Sequence, residues 1–188
     1  MKIFLFFLLV PTLAMAADNQ IIIDQVGDNN TFTVYQDSAN HTASITLGKN
    51  SAVDNTSVTV EQRDSGTKSA TVEINSGYNN RISIVQQGTG NHTASLLNLN
   101  GAANNITIQQ SGPGSHSFTA SAAPGTVNSG NSISASQSGP DKTFNLNLNG
   151  TSGASITVQQ TNPLTTDSGS MSVQCLPGSC GTFSYIRQ

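Results

Sequence analysis

Three histidines, two carboxylate pairs and two cysteines are the residues of this chain whose types could do chemistry. His41, His92 and His116 each stand early in a stretch of alternating residues. Stacked imidazoles could hold a metal ion or titrate together in mild acid. Their spacing does not place them in successive repeats, and no Cys or carboxylate recurs beside them, so they read as polar strand-edge residues. Asp24/Asp28 and Glu61/Asp64 are carboxylate pairs of the kind that hydrolyse glycosides. Each pair is isolated, and no recurring Arg or aromatic accompanies it to hold a sugar. No glycine-rich phosphate loop follows a strand and opens a helix. The reading is a chain with no catalytic residue, metal site or cofactor.

The composition narrows the field further. Charged residues are 9% of the chain, against about 25% in an average domain. Aromatics are 5%, and Trp is absent. Asn, Gln, Ser and Thr number 20, 13, 25 and 21 among 188 residues, so large apolar side chains are too sparse for an ordinary globular core. The net charge of -3 and the lack of a basic run argue against nucleic acid as a partner. Short Ile/Val/Leu alternations throughout argue against a disordered tail.

The first residues bear on compartment. Met1-Lys2, the apolar run Ile3 to Val10 and the small-residue motif Ala14-Met15-Ala16 have the order of a secretory signal peptide. The apolar run is shorter than the roughly 20 residues a membrane span needs. Cleavage after Ala16 leaves a secreted chain that has lost Lys2 and carries a formal charge one unit more negative. Cys175 and Cys180 flank Leu176-Pro177-Gly178-Ser179, a tight-turn sequence. In an oxidising compartment the two are expected to form a disulfide. Free thiols are the alternative, and a metal site lacks further ligands nearby.

The elements that position these residues are repeats. One phrase, apolar-x-apolar-x-Gln, runs through the chain. It reads Ile21-x-Ile23-x-Gln25, Phe32-x-Val34-x-Gln36, Val58-x-Val60-x-Gln62 and Ile82-x-Ile84-x-Gln86. It continues as Ile106-x-Ile108-x-Gln110, Ile133-x-Ala135-x-Gln137 and Ile156-x-Val158-x-Gln160. A second phrase fills the gaps: Ala43-x-Ile45-x-Leu47, Ala70-x-Val72-x-Ile74, Leu97-x-Leu99, Phe118-x-Ala120 and Phe144-x-Leu146-x-Leu148. Gly27, Gly48, Gly77, Gly88, Gly101, Gly112, Gly139 and Gly150 mark the breaks and are read as arc glycines. Both phrases have period two, which is a strand with two distinct faces.

A unit of about 24 residues with two short strands cannot bury its apolar face alone, and stacking solves that. The expected fold is all-β: a two-sheet parallel β-solenoid with a cross-β spacing of about 4.8 Å. The mature length over the repeat length predicts roughly seven coils, with the repeat β-solenoid over 17–169 and a C-terminal segment over 170–188. The Ile/Val pairs form apolar columns between the sheets. Each Gln keeps phase with its pair, so the seven are expected to form an inward amide ladder, every amide donating to one neighbour and accepting from the other. Outward positions are Thr33, Thr59, Ser83, Thr107, Ser134 and Thr157. Lys49, Arg63, Arg81 and Lys142 read as scattered solubility gatekeepers.

The phrase Gln25-Val26-Gly27-Asp28-Asn29-Asn30 and its offset version Gln86-Gln87-Gly88-Thr89-Gly90-Asn91 resemble the curlin repeats of curli fibre subunits, which are bacterial functional amyloids. The resemblance covers roughly 20–162. It implies a cell-surface fibre of the biofilm matrix, built from copies of this chain and a related curlin-like subunit. It also implies periplasmic chaperones and an outer-membrane secretion pore. The uneven repeats and the Cys pair depart from the family pattern and suit a minor, nucleating or terminating subunit. The alternative is a monomeric secreted β-solenoid that acts as an adhesin or surface-recognition module.

Overall fold

The computed structural model describes residues 18–48, 51–122, 125–161, 164–175 and 180–188. The expected leader over 1–16 and the turn residues 176–179 lie outside them. The described residues contain sixteen strands and no helix. Numbered in chain order, the first sheet holds β1 (Gln20–Ile23), β3 (His41–Ile45), β6 (Lys68–Val72), β9 (His92–Leu97), β11 (His116–Ala122), β13 (Lys142–Asn149) and β15 (Asp167–Gln174). The second holds β2 (Thr31–Asp37), β5 (Ser57–Arg63), β8 (Arg81–Gln87), β10 (Asn105–Ser111), β12 (Ser132–Gln137), β14 (Ser155–Gln160) and β16 (Thr182–Arg187). A small ribbon pairs β4 (Val53–Asp54) with β7 (Gly77–Tyr78).

Every pairing is parallel, and the chain alternates between the sheets, so the fold is a two-sheet β-solenoid. Register partners lie between 22 residues apart (Gln20 to Thr42) and 27 apart (Thr42 to Ser69). Alternation explains the burial: Ile82, Ile84 and Gln86 point in, while Arg81 and Ser83 do not. The C-terminal segment expected over 170–188 contributes strands to the stack. β15 and β16 extend both sheets in register and form the last coil.

The corners explain the Gly and Asn content. Asn29, Asn55, Asn79 and Ala103 stand at φ between 51° and 57°, the left-handed region that Asn tolerates better than most residues. Each of the last three donates its N–H to the carbonyl of the level before, at Asp28, Asp54 and Tyr78. Gly77 has φ +123°, and a Cβ there would run into the carbonyl of Gly101. Gly101 has no such φ, yet its own Cβ would strike the carbonyl of Asn128. Arcs stacked this closely leave no room for a side chain.

Candidate self-assembly site

The Gln residues that end the second-sheet strands stand in one column. Gln36 Nε2 donates to Gln62 Oε1 at 2.7 Å, Gln62 to Gln86 at 2.9 Å, and Gln86 to Gln110 at 2.8 Å. Gln62 and Gln86 give their second amide proton to a carbonyl across the core, Thr42 O and Ser69 O, and Gln110 Nε2 likewise donates across it to Thr93 O. Beyond Gln110 the direction reverses, and Gln160 Nε2 donates to Gln137 Oε1 at 2.7 Å. Gln137 Nε2 is left without a partner among the described residues. Gln25 does not belong to this ladder. β1 lies in the first sheet and ends at Ile23, so Gln25 falls in the following connection, exposed, with Nε2 on its own turn at Gly27 O. The ladder has six glutamines, and Arg187 occupies the next register position after Gln160.

A second amide column guards the entries of the same strands, and the sequence reading missed it. Asn80 Oδ1 accepts from both nitrogens of Asn104, and Asn104 Oδ1 accepts from both nitrogens of Asn131. The available signal was an Asn immediately before β8, β10 and β12.

Of the apolar columns, Val58, Val60, Ile82, Ile84, Ile106, Ile108, Ile133, Ile156 and Val158 are buried, and Phe32 and Val34 are partly buried against them. Ile21 and Ile23 are 50% and 44% exposed. They stand in register with Ala43 and Ile45 on an edge strand that has a neighbour on one side only. In β9 the inward residues are Ala94 and Leu96 rather than Leu97, which lies in register with the outward Ser121. The arc glycines Gly27, Gly77, Gly88, Gly112, Gly139 and Gly150 have positive φ. At Gly48 the close approach is to Ser51 O.

The two ends differ. The first coil and the entry to the second, residues 18–48, carry Asp18, Asp24, Asp28 and Asp37, all in the first coil, and neither Lys nor Arg. From residue 49 onward six basic and six acidic side chains balance. In the last coil Gly169 takes the register position of Phe144, and Tyr185 fills the space, 4.9 Å from the Phe144 ring. Arg187 Nε lies 3.1 Å from Asp167 Oδ1, and Lys142 Nζ lies 2.6 Å from Asp167 Oδ2. Cys175 and Cys180 are disulfide-bonded, with their Cα atoms 5.6 Å apart.

Each histidine opens its strand, as expected, but its side chain is buried rather than at a solvated edge. His41, Lys68, His92, His116, Lys142 and Asp167 follow one another in register at the first inward position of the first sheet, each at most 3% exposed. The His92 and His116 rings stack at 4.7 Å, which puts them in successive levels. Burial lowers all three histidine pKa values, that of His92 to about 4. The hydrogen bond from Lys142 lowers that of Asp167. Among the described residues no cluster of three or more His, Cys, Asp or Glu could hold a metal ion.

No protein-family model, curated protein or solved structure matches this chain.

Proposed function

We propose that the chain is a non-catalytic subunit of a secreted, curlin-type fibre of the extracellular matrix, which grows by stacking the terminal coils of successive copies. The observation that carries this reading is the first coil. Among the described residues β1 and β2 each pair on one side only, and Ile21 and Ile23 remain exposed in phase with the core. A free strand edge with interior chemistry recruits another strand. Partners on this reading are further copies, a related subunit and, before them, the chaperones and pore of an export route through the periplasm. Purified chain lacking residues 1–16 should form thioflavin-positive fibres after a lag that added seeds shorten. A soluble monomer that keeps its β circular dichroism for days overturns this reading.

One observation favours the monomeric surface-recognition module as the second reading. Tyr185, Arg187 and Asp167 break the repeat at the last coil, as a cap would. In that case the same incubation yields no fibres.

A further inference from the structure

The column of titratable residues has a use that the amide ladder and the apolar columns do not supply. Five consecutive levels, His41, Lys68, His92, His116 and Lys142, hold side chains that can carry positive charge. Levels in a parallel stack are about 4.8 Å apart. The two lysines are compensated. Lys68 Nζ donates to the carbonyls of Ser65, Gly88 and Gly90 at 2.7–2.8 Å. Lys142 has Thr165 O and the Asp167 carboxylate.

The histidines are compensated less than burial costs them. No group stands in full hydrogen-bond geometry to a ring nitrogen of His41 or His116 among the described residues, and His92 has Gln87 O at 2.9 Å. The backbone at Asn40 and Asp64 beside His41, and at Ser111 beside His116, favours the charged ring, but desolvation outweighs it. Each histidine stands one level from a lysine. The second sheet faces the column with the neutral Gln ladder and, at the last level, Arg187. The nearby arc carboxylates are exposed and already engaged by backbone N–H groups. Asp37 accepts from Asp64, Asp64 from Gly88, and Asp141 from Ser115. Water screens much of their attraction for an imidazolium.

We propose that this column is an acid release: the stack closes while His41, His92 and His116 are neutral and opens when they take up protons. Protonation would line up to five buried cations at adjacent levels, with a counterion only at the far end. The His92 and His116 rings stack face to face, so their in-plane lone pairs run parallel and do not converge on a metal ion, and Lys68 stands between them and His41; the ligand of this site is the proton. The device belongs to the single chain and does not depend on whether copies stack.

The sign follows from burial. Folded-state values below the free 6.5 mean that the unfolded chain binds more protons. Stability is complete above 6.5 and falls as the pH drops from there towards about 4, where His92 charges within the fold. Burial also lowers the pKa of Lys68 from 10.5, and the nearby Asp64 carboxylate offsets part of that.

The test is urea unfolding of the chain lacking residues 1–16, followed by far-UV circular dichroism from about pH 8 to pH 4.5, beside the triple variant His41→Gln/His92→Gln/His116→Gln. Wild type should lose stability with a slope of up to about three powers of ten in the unfolding constant per pH unit. The variant should be flat over the same range. A wild-type profile without slope, or a variant that keeps the wild-type slope, overturns the proposal. If the variant does not fold, the wild-type imidazole proton resonances decide. Silence until the β signal collapses supports the device, and midpoints near 6.5 in the folded chain overturn it.

Discussion

A buried amide tolerates its surroundings only while both its donor and its acceptor are used. Gln86 uses both, accepting from Gln62 and donating to Gln110 and to Ser69 O. Gln86→Leu keeps the bulk and strands Gln110 Oε1 and Ser69 O, at a cost of about 2–4 kcal/mol. Ser83→Ala removes an outward hydroxyl at a cost within about 0.5 kcal/mol. Chemical denaturation should show this gap, and fibre formation should slow far more for Gln86→Leu. Equal midpoints would mean that the column adds nothing. Asp167 is the other residue on which neighbours depend. Asp167→Asn leaves the buried Lys142 ammonium without its carboxylate and should lower the urea midpoint at neutral pH.

At the scale of strands, the last coil is the place where sequence and structure differ most usefully. Its residues lack the repeated phrase, yet Ser155–Gln160 pairs with Thr182–Arg187 in parallel. The backbone ladder accepts Phe183 and Tyr185 where earlier levels have Ile and Val. Closing the loop between Cys175 and Cys180 stabilises by about 2 kcal/mol on the chain-entropy view. Contacts in a solenoid run only between neighbouring levels. Reduction should therefore raise amide exchange in β15 and β16 and leave β8 to β10 protected; exchange that spreads through the whole stack would contradict this. Strand existence was readable because β5, β8 and β10 repeat at an even 24-residue step with identical phrases. Phase was not readable where the step changes. Ile21-x-Ile23-x-Gln25 copies the second-sheet phrase but serves the first sheet. The titratable column stayed hidden for a similar reason: its steps run 27, 24, 24, 26 and 25 residues, and Lys68 interrupts the histidines, so no single residue type recurs at every level.

For the molecule as a whole, the unequal ends decide what copies can do to one another. Two first coils meeting face to face would crowd eight aspartates (four from each copy), and such like-charge contact is unfavourable. A first coil meeting a last coil opposes four aspartates to a balanced surface that exposes Arg187. That head-to-tail contact does not close on itself, which is the geometry of filaments rather than pairs. The even step between β5, β8 and β10 carries a separate implication. Joining Asn80 directly to Asn105 would remove 81–104 and set Ser57 beside Asn105, and Lys68 beside His116, with no register slip. The size of this protein is thus an integer variable: whole storeys can be withdrawn or duplicated by one in-frame exchange at the DNA level, while a single residue inserted within a strand turns the side chains beyond it in that strand to the other face.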